Sequence, residues 1–190
     1  MKPPPAPGSE VSTLLALLNM IPCEHDAPRL MLSKPRVLIV ESDADDLFLI
    51  KRVFARWSPL CKVFSVATAE GAIDYLTGEP PYADRREYPL PTLLLMDLKM
   101  HGMGGFELLE WLKARPDLNA IAIVVLTGSG IPADLQRALE FGADDYYVKP
   151  QDYSELEKIG RDLSARFLTV NLPMNLASMG GSGNQLHASY

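Results

Sequence analysis

The sequence predicts an α/β fold: a doubly wound parallel sheet of five strands with helices on both faces. Three observations predict it. Between residues 36 and 169, short apolar runs alternate with segments whose apolar residues recur at helical spacing. The runs are continuous rather than alternating, as in Val37-Leu38-Ile39-Val40, which is the pattern of strands buried on both faces. Glycine and proline stand at the junctions where strand gives way to helix and helix to strand. A strand followed each time by a helix needs crossover connections, and these make neighbouring strands parallel.

The first strand, Val37–Val40, leads into a helix over Asp43–Trp57, where Leu47, Ile50, Phe54 and Trp57 share a stripe and Pro59 ends the run. Val63–Val66 is the second strand, and the helix Ala69–Leu76 after it closes at Gly78. Thr92–Met96, apolar except at its start, is the third strand, and Pro116 ends the helix Phe106–Ala114. Ile121–Leu126 is the fourth strand. The helix Pro132–Phe141 has proline at its start and Gly142 just past its end, the expected asymmetry. Tyr146–Val148 is a short fifth strand, and Ser154–Leu168 a last helix with Leu156, Ile159, Leu163 and Phe167 in line. Right-handed crossovers then give the flavodoxin-like (βα)5 order 2-1-3-4-5, with a binding crevice at the carboxyl ends of the strands where the winding reverses.

The chain has 190 residues, enough for one ordinary domain with extensions. Residues 1–34, with Pro3, Pro4, Pro5 and Pro7, read as a flexible N-terminal extension; 35–170 form the domain; 171–190, rich in Gly, Ser and Asn and without a charged side chain, read as a flexible tail. Acidic residues (24) outnumber Lys plus Arg (18), and no basic tract occurs, so nucleic acid is not an expected partner. No apolar run approaches the roughly 18 residues of a membrane span. Cys23 and Cys61 are too few for a disulfide framework, which fits a reducing, cytoplasmic setting. His25, His101 and His187 have no zinc-site spacing.

The sheet order gathers chemistry from distant positions. The first strand ends in Glu41, with Asp43 two residues on; the third ends in Asp97; the fourth in Thr127; the fifth in Lys149 followed by Pro150. Carboxylates suit a hard cation such as Mg²⁺. A carboxylate is also a nucleophile toward phosphorus, giving an aspartyl-phosphate. A hydroxyl and an ammonium beside it can hold phosphoryl oxygens. The glycines at 102, 104 and 105 let the backbone after Asp97 turn away from that edge.

Four stretches, V-L-I-V-E-S-D-A-D-D, L-L-L-M-D-L-K-M-H-G-M-G-G-F-E, V-V-L-T-G-S and D-D-Y-Y-V-K-P, together resemble the response-regulator receiver family over about residues 36–169. The resemblance implies that Asp97 accepts a phosphoryl group, and that Glu41, Asp97 and the backbone carbonyl of Lys99 hold Mg²⁺. It implies that Thr127 is the switch hydroxyl, Lys149 the phosphate-pairing lysine and Tyr146 the aromatic switch. The expected function is that of a stand-alone two-component response regulator, charged by a histidine kinase and signalling through protein contact. Enzymatic turnover would be limited to phosphoryl acceptance and self-dephosphorylation. A homodimer through the face made by the fourth helix, fifth strand and fifth helix is a further expectation. The loop 77–91, with P-P-Y-A-D-R-R-E-Y, is similar to that of single-domain regulators partnering bacterial phytochrome-type kinases, and reads either as a docking element or as a tolerated insertion.

One departure matters. The family has two adjacent acidic residues after the first strand, and here the pair is Glu41-Ser42. Either Asp43 substitutes as a metal group, or the cation binds weakly, which would make the chain a pseudo-receiver, an interaction module with weak or no phosphorylation. Ser42 also opens an S-x-x-D pattern and is expected to cap the first helix. Asp45 and Asp46 read as complements to that helix's dipole, His101 as a solvated loop residue, and Trp57 and Trp111 as packing residues. A haloacid-type hydrolase would need an acid where Lys99 stands, and a flavodoxin would need a phosphate-cradling loop where Glu41–Asp46 carries four carboxylates.

Overall fold

The computed structural model describes residues 34–100 and 102–168. His101 and nearly all of the two predicted extensions lie outside the described residues. The elements follow in the order β1 (Arg36–Val40), α1 (Ala44–Trp57), β2 (Lys62–Val66), α2 (Ala69–Thr77), β3 (Leu93–Met96), α3 (Gly105–Lys113), β4 (Ala122–Thr127), α4 (Pro132–Glu140), β5 (Asp145–Val148) and α5 (Tyr153–Phe167), with a 3-10 turn at Pro116–Leu118. The sheet is wholly parallel in the order β2-β1-β3-β4-β5. The sequence pattern located each of the five strands and five α-helices to within a residue or so at each end; the 3-10 turn was not among its expectations.

Successive strand residues face opposite sides, and each side has its own core. Leu38, Val40, Leu94, Met96 and Val125 pack against α2 and α3 and against Ala138 of α4. Val37, Ile39, Leu93, Leu95, Val124 and Leu126 pack against Ile50 and Phe54 of α1 and Leu163 of α5. Because both faces of the central strands β1, β3 and β4 are covered, these carry no polar alternation, which is why their runs read as continuous. The helices α1 and α5 approach closely at Gly160, where a Cβ would stand 1.9 Å from Val53 Cγ1.

The cap of α1 corrects one expectation. Asp43, in extended conformation, is the N-cap; its Oδ1 accepts from the amides of Asp45 and Asp46, both at 2.9 Å. Ser42 is exposed and one residue too early to reach those amides. A carboxylate at the helix start also meets the positive end of the dipole, which favours aspartate over serine there.

The loop between α2 and β3 is fastened in place. The guanidinium of Arg85 donates to the carbonyls of Tyr75 (2.7 Å), Leu76 (2.6 Å) and Tyr88 (3.2 Å), satisfying the free carbonyl end of α2. Tyr75 OH donates to Pro89 O at 2.9 Å, and the rings of Phe64, Tyr75, Tyr82 and Tyr88 pack edge to face or tilted. Trp111 packs against the first core with the Arg115 guanidinium over its ring, and the guanidiniums of Arg56 and Arg161 each lie 5.6 Å from the Trp57 ring.

Candidate functional site

The backbone ladder continues one residue past three strands and so fixes the site. Glu41 N–H donates to Val66 O at 3.0 Å, Asp97 N–H to Val40 O at 3.0 Å, and Lys149 N–H to Thr127 O at 2.7 Å. The side chains of Glu41, Asp97 and Lys149 therefore leave the sheet at its carboxyl edge with their backbone still held by the neighbouring strand. α3 presses on the same point: Gly105 donates its N–H to Leu98 O, and a Cβ at Gly105 would lie 2.5 Å from Leu98 Cα and 2.7 Å from Asp97 O.

The centre of the site is the ammonium of Lys149. It donates to Glu41 Oε2 (2.7 Å), Asp97 Oδ2 (2.7 Å) and Asp46 Oδ2 (2.8 Å). The second oxygen of Glu41 accepts from Asp43 N–H at 2.9 Å, and that of Asp97 from Lys99 N–H at 3.0 Å. Glu41, Asp97 and Thr127 are buried. Burial works to raise the Asp97 pKa, but the Lys149 ammonium, the Lys99 amide and the Thr127 hydroxyl outweigh it and hold the carboxyl below the usual aspartate range. Glu41 goes the other way: burial dominates over its bonds to Lys149 and Asp43 and pushes its pKa up. Burial opposes the charge on Lys149, yet its three carboxylates raise its pKa.

The sequence brought Glu41, Asp97, Thr127 and Lys149 to this edge, and they meet there. Asp43 does not join them: its carboxylate is turned to the amides of α1, and only its N–H touches the group, through Glu41. Lys99 is exposed, with its amide on Asp97. Tyr146 lies half-buried alongside, its hydroxyl donating to Ser129 O at 2.8 Å. Asp46 is the residue that sequence reasoning assigned to the helix dipole alone. Its only signal was its place one turn past the cap, on the flank of α1 that faces the strand ends. The Lys149–Pro150 peptide is trans; the one cis peptide among the described residues is Pro80–Pro81.

Ser129 adds a second cluster. Its amide reaches Thr127 Oγ1 at 3.4 Å, and its hydroxyl donates to Asp134 Oδ2 at 2.5 Å, tying the end of β4 to the first turn of α4. Nearby, Ile131 just before α4, Leu135 and Leu139 on α4 and Val148 on β5 are exposed.

The donor set fits a hard divalent cation. Three carboxylate oxygens converge on one positive centre, and oxygen donors of this kind are what Mg²⁺ takes. No three acidic, His or Cys side chains among the described residues are arranged to hold an ion as they stand; here the point of convergence is filled by the ammonium.

A family model for the response regulator receiver domain matches residues 37–161. The two-component response regulator ARR17 of Arabidopsis thaliana is 32% identical over 125 residues, which span 65% of this chain and 80% of that protein. Among solved structures, the phosphorylated cyanobacterial phytochrome response regulator RcpA superposes with a TM-score of 0.67 at 27% identity, over 72% of this chain and 96% of that one. The Mn²⁺-bound form of response regulator Rcp1 gives 0.65 at 28% identity, over 73% and 99%.

Proposed function

This chain belongs to the family of response regulator receiver domains, and on that premise we propose that Asp97 accepts a phosphoryl group from a phosphohistidine on a partner histidine kinase. The observation that carries the reading is the buried Asp97 carboxylate, 2.7 Å from the Lys149 ammonium and beside the buried Thr127 hydroxyl. With its pKa held down, Asp97 is ionised at neutral pH and is a ready nucleophile. In the transfer, the P–N bond to the kinase imidazole breaks, a P–O bond to the Asp97 carboxylate forms, and the imidazole leaves with the electron pair. Lys149 turns its charge toward the phosphoryl oxygens, and Thr127 donates to one of them. Mg²⁺, held by Glu41, Asp97 and the Lys99 carbonyl, would supply charge compensation for those oxygens. The site otherwise contributes positioning and exclusion of bulk water.

The signal leaves through the surface. Movement of Thr127 toward the phosphoryl group pulls on the Ser129 amide, and with it on the segment that Tyr146 and Asp134 grip. That biases two arrangements of α4, β5 and α5, whose exposed Ile131, Leu135, Leu139 and Val148 suit a partner or a second copy. A stand-alone role in the cytoplasm, signalling by contact, is supported by the near-complete span of the RcpA and Rcp1 chains. Similarity to the cyanobacterial phytochrome response regulator RcpA supports a phytochrome-type kinase as the partner.

The test is incubation with acetyl phosphate and Mg²⁺, read by intact mass. Wild type gains one phosphoryl group and Asp97→Ala does not; an adduct that persists unchanged in Asp97→Ala refutes the assignment. The exposed Ser42, where a carboxylate is usual, favours a second reading as a pseudo-receiver. Wild type that gains nothing from acetyl phosphate or from any phosphorylated kinase would select it.

A further inference from the structure

We propose that Asp46, from the first turn of α1, supplies the carboxylate that position 42 lacks and completes the divalent-cation site with Glu41 and Asp97. The inference rests on the receiver reading above and names a residue that reading does not use. Ser42 is exposed and its hydroxyl is neutral. Asp43 already caps α1, with one oxygen accepting two amides. Asp46 differs from both. Its Oδ2 lies 2.8 Å from the Lys149 ammonium, the same atom that Glu41 and Asp97 reach at 2.7 Å, so three oxygens share one cationic point.

The charge count agrees. Three carboxylates against one ammonium leave two negative charges uncompensated, the complement of one divalent ion. The helix places Asp46 three residues after the cap, about one turn in, which carries its side chain back over the strand ends. Its side chain is 41% exposed, whereas those of Glu41 and Asp97 are buried. That exposure suits Mg²⁺, which keeps several of its waters and is bound by few carboxylates. Asp46 would hold the ion from the solvent side, directly or through one of those waters, while Glu41 and Asp97 hold it from the sheet. Asp45, adjacent in sequence and equal in charge, is exposed and makes no contact with Lys149, so it is a built-in control.

The experiment titrates the purified full chain with Mn²⁺ and counts free ion by electron paramagnetic resonance; Mg²⁺ competition gives the second affinity. Asp46→Asn keeps the shape of a half-exposed side chain, and circular dichroism checks that the fold is retained. Asp46→Asn is expected to weaken Mn²⁺ binding about tenfold or more. Asp45→Asn changes it by less than about twofold, because an exposed charge away from the ion is screened. Adding Ser42→Asp to Asp46→Asn returns affinity toward wild type. Asp46→Asn that binds as wild type does, or Asp45→Asn that loses as much, overturns the role of Asp46 and leaves the receiver reading intact. Wild type that takes up no Mn²⁺ overturns both this role and the cation part of that reading.

Discussion

Gly105 tests how tightly the fold holds Asp97. It is the first residue of α3 and packs directly on the Asp97–Leu98 peptide. An added Cβ would stand 2.5 Å from Leu98 Cα and 2.7 Å from Asp97 O. Against a carbon–carbon separation of about 3.5 Å, that leaves a shortfall of about 1 Å. Both obstacles are backbone, so no side chain can rotate away, and either α3 lifts or the peptide after Asp97 moves. Overpacking of this kind costs about 1–3 kcal/mol. Alanine's better helix propensity returns at most about 1 kcal/mol, and less at a helix start, so the steric effect wins and Gly105→Ala loses about 1–2 kcal/mol. The displacement reaches Asp97 itself, and a misplacement near 1 Å can slow a positioned reaction by about 100-fold. Urea unfolding and the rate of phosphorylation by acetyl phosphate read the two effects. Gly104→Ala is the control: its Cβ would meet only Glu107 Oε2, at 3.5 Å, so it stays within about 0.5 kcal/mol of wild type. Gly105→Ala with wild-type stability and rate would refute the reasoning.

Glu41→Gln is expected to be more stable than wild type at neutral pH while binding Mn²⁺ less tightly. Burial raises the Glu41 pKa above its unfolded value, so its contribution to stability is present below the unfolded pKa and is lost as pH rises through the folded one; urea midpoints across pH 4 to 8, with that loss absent in Glu41→Gln, check the sign. Cys61 has its thiol pKa pushed up to about 11 by burial. About 100-fold less thiolate than an ordinary cysteine follows at neutral pH, so iodoacetamide labels Cys61 slowly, and peptide mapping that finds it labelled at an unhindered thiol's rate contradicts this. Arg85→Gln removes a charged donor from the three carbonyls of Tyr75, Leu76 and Tyr88 and is expected to cost about 1.5–3 kcal/mol. Limited proteolysis then cuts within 77–91, and a loop as resistant as wild type would show that Arg85 does not fasten it.

What the sequence made legible follows from how local each signal is. Strands buried on both faces announce themselves as unbroken apolar runs, so Leu93–Met96 and Val37–Val40 needed no tertiary knowledge. Thr127, Asp97 and Lys149 were legible because strand ends mark the crevice once the order is known. Four features were not. The S-x-x-D pattern placed the cap of α1 on Ser42, but the bend falls one residue later and Asp43 takes it; such patterns fix a turn only to within a residue. Asp46 looked like a dipole complement because its partner, Lys149, lies 103 residues away. Gly105 and Arg85 act through close approach and through carbonyls left free by α2, and neither leaves a periodic trace in the chain.

The most direct measurement is the location of the phosphoryl group. The full chain is charged by acetyl phosphate with Mg²⁺, the acyl phosphate is trapped by borohydride reduction, and the reduced residue is found by tandem mass spectrometry. Reduction at position 97, abolished in Lys149→Ala or strongly slowed there, is the predicted result. Reduction at another carboxylate, or an equal yield at 97 without the Lys149 ammonium, would contradict the account.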